Sequence, residues 1–273
     1  FTSNCIEVTV VEDPTVDAIS GDEDICSGGT ANFNVTASGG TPSLTYQWQY
    51  DNGGMFENVS NGTPAGATYS GDTGAALSVS TTNATPAGNY NYRVLVNASG
   101  LDCDQATSTT VTMNVFDDPT ISVQPIGDEI CDGETYNLSV TAAGTAPGGL
   151  VYQWQSRTPP GSSGWFNAPG INTNSTYTTP SLSASTEYRV VITQSESGCR
   201  TISDQVTVQV NPIPAITSDA TGLICDGDNV NYTITSDVAM TTYEWSGAVI
   251  SGSVTGVTTT TQTTSSITDI LDN

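Results

Sequence analysis

Ile130-Cys-Asp-Gly-Glu-Thr-Tyr-Asn-Leu-Ser-Val140-Thr-Ala-Ala-Gly-Thr-Ala-Pro-Gly-Gly-Leu150-Val-Tyr-Gln-Trp154 reads as two β-strands around a glycine-rich connection. Tyr136, Leu138 and Val140 alternate with polar residues, which gives the first strand one apolar and one wet face. Pro147, Gly148 and Gly149 interrupt it, and the second run closes on an indole. The landmarks return. Ile25-Cys26-Ser27-Gly28 and Ile224-Cys225-Asp226-Gly227 repeat the opening, and Tyr46-Gln47-Trp48 and Tyr243-Glu244-Trp245 repeat the close. Boundary signals precede each copy: Glu12-Asp13-Pro14, Asp117-Asp118-Pro119 and Asn211-Pro212-Ile213-Pro214. Motifs recurring in one order at near-constant spacing mark an array of like units.

Between the landmarks the pattern is β throughout. Residues 120–126, 135–142, 150–156, 165–168, 175–182, 186–193 and 201–210 are expected as successive strands of the second repeat. No stretch keeps a helical period. Several short half-apolar strands per repeat close most simply as two packed sheets, so the expected class is all-β: tandem immunoglobulin-like sandwiches arranged end to end. Residues 14–118 and 119–211 each make one repeat. Residues 1–13, opening Phe1-Thr-Ser-Asn-Cys5, read as the final strand of a preceding repeat, and 212–273 as an incomplete one, frayed where its edges lack partners. Trp48, Trp154 and Trp245 are expected in the cores, where an indole can bridge both sheets. Ala87-Gly88-Asn89-Tyr90-Asn91-Tyr92 looks like a tyrosine corner entering a late strand.

Composition narrows the chemistry. The chain has 28 acidic residues against four basic ones, all arginine, for a net charge of −24. Such a surface is repelled by nucleic acid and by anionic membranes, and no apolar run is long enough for a spanning helix. Without histidine there is no Ser-His-Asp triad, Cys-His pair or His-ligated metal. Without lysine there is no Schiff base, no phosphate-loop lysine and no Lys–Asn isopeptide crosslink. Paired carboxylates survive this filter unmarked by any motif, so the chain reads as non-enzymatic, with neither catalytic nor cofactor-binding residues.

Six cysteines in a β-rich chain point to disulfides. They fall in two sets: Cys26, Cys131 and Cys225 at the corner between the first two strands, and Cys5, Cys103 and Cys199 at the turn between the last two. The positions that carry the disulfide of antibody domains hold Phe33 or Val35 facing Tyr92, and Leu138 or Val140 facing Tyr188. Two pairings are open. Bridging within a repeat (Cys26–Cys103 or Cys131–Cys199) would join opposite ends of a sandwich, about 24 Å apart along a seven-residue strand, whereas a disulfide needs Cα atoms within about 7 Å. Bridging across a joint predicts Cys26–Cys199, with the other four paired to repeats outside this chain.

Other candidates are weaker. Asp22, Glu23, Asp24, Asp117, Asp118, Asp128 and Glu129 crowd the corners and joints, where structural Ca²⁺ is one reading and solvated charge the other; no EF-hand or nonapeptide loop supports the first. Met55-Phe56 and Trp165-Phe166 occupy matching positions and are expected to lid the core, the rival being an exposed ligand patch. Arg93 and Arg189 share a strand position and are expected to pair with a local carboxylate.

Ile130-Cys131-Asp132-Gly133, Tyr152-Gln153-Trp154, Tyr188-Arg189-Val190 and Gly198-Cys199 together resemble the Ig-like and PKD-like repeats of large Bacteroidota surface proteins. The resemblance covers 14–211 well and 212–273 in part; repeat one departs from it with Asp102-Cys103. It implies type IX secretion, an outer-membrane-attached location on the cell surface and a role in adhesion, the gliding-motility adhesins included. Neighbouring repeats of the same chain are the expected partners, with surface glycans or proteins as possible ligands. An accessory carbohydrate- or protein-binding module of a secreted enzyme is the alternative.

Overall fold

Alternation along each strand sorts its side chains between core and water. The computed structural model describes residues 7–100 and 103–273. The first repeat holds β1 (Thr15–Ile19), β2 (Glu23–Cys26), β3 (Thr30–Ser38), β4 (Leu44–Asp51), β5 (Phe56–Asn58), β6 (Thr68–Ser70), β7 (Ala76–Ser80), β8 (Gly88–Ala98), β9 (Ala106–Thr107) and β10 (Val111–Phe116). One sheet runs β1-β3-β7-β6 and the other β2-β10-β8-β4-β5, with β9 also on β8. Ala31, Phe33 and Val35 of β3 point inward against Tyr92, Val94 and Val96 of β8, and all are buried. Phe33 and Tyr92 meet at 5.7 Å between ring centroids, the contact that replaces a core disulfide.

The second repeat follows the same plan with β11 (Thr120–Val123), β12 (Glu129–Cys131), β13 (Asn137–Ser139), β14 (Thr141–Ala143), β15 (Leu150–Arg157), β16 (Phe166–Asn167), β17 (Thr176–Thr178), β18 (Thr186–Gln194), β19 (Arg200–Ile202) and β20 (Val206–Asn211). One layer is β12-β20-β18-β15-β16, with β19 on β18; the other is the pairs β11-β14 and β13-β17. Trp48 and Trp154 are fully buried, as expected. Each indole N–H donates to a backbone carbonyl, Gly74 O and Asn174 O, both at 2.9 Å. The tyrosine corner is present: Tyr90 Oη donates to Pro86 O at 2.7 Å.

Several strands differ from expectation. The one over 135–142 breaks at Val140 into β13 and β14, which pair with β17 and β11 respectively, and those over 165–168 and 175–182 shrink to β16 and β17. The one expected over 120–126 stops at Val123, and the chain changes sheets: β11 pairs antiparallel with β14, while β12 pairs parallel with β20. Gly127 lies at the crossing, where a Cβ would collide with the Thr207 carbonyl. The first repeat makes the same switch from β1 to β2. The strand expected over 201–210 is split into β19 and β20. In the break, Ser203 Oγ accepts Val190 N–H and donates to Asp204 O, both at 2.9 Å, and Ser108 does the equivalent for Val94 N–H and Thr109 O.

The expected strand over 1–13 is not seen where it can be checked. Residues 1–6 lie outside the described residues, and 7–14 form no strand. This stretch is instead engaged by loops of the first repeat: Glu12 O accepts Gly40 N–H at 3.0 Å, and Asp13 Oδ1 accepts Asp104 N–H at 3.1 Å.

Residues 212–273 hold β21 (Tyr232–Thr233), its antiparallel partner β22 (Ser266–Ile267) and isolated bridges, including Trp245 with Gln262. Trp245 corrects the core assignment, because it is only half-buried. In the first two repeats β8 and β18 lie beside the strand that carries the indole; residues 212–273 supply no such strand. A groove of about 510 Å³, lined by residues including Ile216, Tyr232 and Tyr243, opens beside Trp245 instead.

Candidate functional site: the stapled joint

The switch of sheets sets up the joint. Because β2 runs parallel to β10, Cys26 ends opposite Phe116, where the first repeat passes into Asp117-Asp118-Pro119. The turn between β18 and β19 reaches back to the same place from the second repeat. Cys26 and Cys199 are bonded there as a disulfide, with Cα atoms 5.3 Å apart and 173 residues between them in sequence. This is the cross-joint pairing that strand geometry favours. Ser27 N–H donates to Phe116 O at 2.8 Å beside the bridge, and Cys199 is 1% exposed, so one half of the disulfide is shielded from solvent.

Gln194 completes the joint and is absent from the sequence reading. It ends β18 at an inward position and is fully buried. Its Nε2 donates to Asp117 O at 2.6 Å, its Oε1 accepts Ala146 N–H at 2.5 Å, and its own N–H donates to Cys199 O at 2.8 Å. One amide therefore ties the linker, the loop after β14 and the cysteine turn together. The signal was present: Tyr188, Val190 and Ile192 are apolar inward positions and the next is polar, whereas β8 ends its matching series on Ala98.

Of the remaining cysteines, Cys131 ends β12 and Cys103 lies between β8 and β9, as expected, whereas Cys225 has no strand directly on either side to form its corner. Cys131 and Cys225 are exposed, Cys103 is half-buried, and none of the three is bonded among the described residues; Cys5 lies outside them. The acidic residues are dispersed into local hydrogen bonds. Asp22 Oδ1 accepts Thr112 N–H at 2.8 Å, Asp24 Oδ1 takes Asn114 Nδ2 at 2.7 Å, Asp128 Oδ1 takes Glu129 N–H at 2.9 Å, and Glu129 Oε2 takes Asn211 Nδ2 at 3.1 Å. Among the described residues, only Cys26, Asp118 and Cys199 bring three ligand-type atoms within 4.8 Å, and both sulfurs there belong to the disulfide. Glu23 and Asp117 join no such group.

The paired aromatics do not lid the cores. Met55 is 68% and Phe166 73% exposed, while Phe56 and Trp165 are half-buried on the outer face of their sheets. The reason is register: Phe56 pairs with Asp51, and the arginines one strand further in come up beneath the rings. Arg93 lies 4.1 Å from the Phe56 centroid; Arg189 and Arg157 lie 4.4 and 4.6 Å from that of Trp165. Nor do Arg93 and Arg189 pair with a carboxylate. Their Nε atoms donate to Gln49 and Gln155, each at 2.9 Å, the residues directly opposite in the ladders. The carboxylate partner belongs to Arg157, whose Nε contacts Glu187. Glu187 is held below the usual carboxylate range by the Gly161 N–H, then by Arg157.

Comparison with known proteins supports the architecture. Residues 122–212 match a domain of unknown function (DUF8696), and 222–273 match a PKD-like domain. No curated protein matches the chain. Among solved structures, a three-domain fragment of titin, I67-I69, aligns with TM-score 0.52 at 12% identity, covering 96% of this chain and 89% of the fragment. An E-to-A variant of the same fragment gives TM-score 0.52 at 12% identity, over 95% and 88%. The fibronectin(III)-like modules of Clostridium thermocellum CbhA align with TM-score 0.36 at 14% identity, over 73% and 94%. The chain is a series of tandem Ig-like β-sandwich repeats.

Proposed function

We propose that this chain is a non-enzymatic stalk segment of a secreted, surface-attached protein, holding an adhesive part away from the cell. The observation that carries the reading is the joint. Two covalent connections, the peptide through Asp117-Asp118-Pro119 and the Cys26–Cys199 bridge, link the same two repeats, and Gln194 fastens one to the other. A single flexible tether would let the sandwiches swing, whereas a second covalent link beside it, together with the Gln194 hydrogen bonds, restricts that swing. A disulfide between domains persists in an oxidising compartment, which supports an extracellular location. The net charge of −24 keeps such rods apart in solution. The resemblance to Bacteroidota surface repeats adds outer-membrane attachment, type IX export and a role in surface attachment or gliding motility.

Small-angle scattering tests the stalk. The oxidised protein is expected to show one elongated, narrow size distribution that broadens when Cys26 and Cys199 are both replaced by serine. A compact particle, or identical curves for both proteins, would remove the stalk reading.

A second reading, a glycan- or protein-binding module, is favoured by Phe166 at 73% exposure beside Trp165. A glycan array with no hits, and no loss of adhesion on Phe166→Ala, would remove it.

A further inference from the structure

We infer that the Cys26–Cys199 bridge is a load bypass: under tension it carries force around both sandwich cores, so the stalk transmits pull without either core unfolding. The inference follows from the order of the chain around the joint. Force applied along the chain enters the first repeat at Thr15, runs through β1 and β2, and arrives at Cys26. From there the covalent path has two branches. One crosses the disulfide directly to Cys199 and leaves through β19 and β20. The other follows residues 27–198, which contain β3 to β18 and the buried Trp48, Tyr92, Trp154 and Tyr188.

The two branches share their ends, whose Cα atoms are 5.3 Å apart. A branch closed over that distance cannot be stretched while the bridge lasts, so the chain between the cysteines carries no sustained extension. Its 173-residue separation corresponds to roughly 600 Å of extended chain that is withheld. Only the short segments before Cys26 and after Cys199 lie on the loaded path, about 40 Å of chain each, and they are largely extended strands already.

The placement of the cysteines is what makes the bypass work. A bridge inside one sandwich would protect part of one core. Cys26 lies early in its repeat and Cys199 late in the next, so one bond encloses nearly all of both. The parallel pairing of β2 with β10 supports it, because it brings Cys26 to the exit of the first repeat rather than to its entrance. The shielding of Cys199 protects the bond that the device depends on.

The inference builds on the stalk reading, but its test measures chain extension rather than shape or adhesion, so either can fail alone. The full chain, oxidised and with a Cys26–Cys199 peptide verified by mass after non-reducing digestion, is pulled by its two ends in single-molecule force spectroscopy. The expected result is no core-sized release from the first two repeats, and at most about 80 Å from the chain that lies outside the bridge. The Cys26→Ser/Cys199→Ser protein is expected to release roughly 600 Å more, in two large steps. Core-sized steps in the oxidised protein would overturn the proposal. So would equal extension of the two proteins, or failure to recover the Cys26–Cys199 peptide.

Discussion

Trp154 and Trp245 occupy the same place in the repeat and make the same indole hydrogen bond, yet only the first is sealed by a neighbouring strand. Trp154→Ala is therefore expected to cost about 3–5 kcal/mol of stability, and Trp245→Ala well under half of that. Denaturant unfolding of each variant measures the difference, and equal losses would contradict the burial described above. Gln194→Ala leaves the Asp117 carbonyl and the Ala146 amide without their partner, for an expected loss of about 1–3 kcal/mol. The tyrosines give the cores a pH limit. Burial, chiefly, raises Tyr69 to about 12 and pushes Tyr92 and Tyr188 higher still. An unfolded phenol titrates near 10, so the fold favours the protonated form. That contribution is fully present below about pH 10 and is lost as pH rises toward and through about 12. Ultraviolet titration should show late-ionising phenols that coincide with unfolding of the first two repeats; all 11 tyrosines titrating together near pH 10 would refute it.

At the scale of elements, the change of sheet between β11 and β12 is where the sequence was least legible. Period-two alternation places a residue on one face or the other, but it does not say which sheet a strand joins. The pattern before Cys131 therefore read as a single strand. Buried faces were legible because Phe33, Leu138, Val190 and their neighbours alternate cleanly, and the spacing that separated the two cysteine sets was enough to favour Cys26–Cys199. The outward aromatics were misplaced because a ring beside an arginine looks the same in sequence whether it faces core or water. Gly127 and Gly21 test the crossover directly. A Cβ at Gly127 would meet Thr207 carbonyl oxygen, whereas at Gly21 nothing lies within 4 Å. Gly127→Ala is expected to destabilise the second repeat by about 1–3 kcal/mol through a displaced β12, while Gly21→Ala leaves the first nearly unchanged. Equal thermal shifts for the two variants would show that the crossing is not held by close approach.

Across the whole molecule, the bridge makes stability a shared property of two sandwiches whose cores do not merge. Closing a 173-residue loop restricts the unfolded chain, and the loop-entropy model puts the effect at about 5 kcal/mol when both repeats are unfolded. With only one repeat unfolded, the folded one already shortens the free loop, so the restriction depends weakly on which repeat opens first. The Cys26→Ser/Cys199→Ser protein should consequently show lower calorimetric transitions for both repeats, including the first, to which Cys26 contributes no buried core side chain. A bridge that merely decorated the surface of one repeat would lower one transition and leave the other fixed. Scanning calorimetry of oxidised and double-serine proteins separates these cases, and an unmoved transition in either repeat would mean that the joint does not couple them.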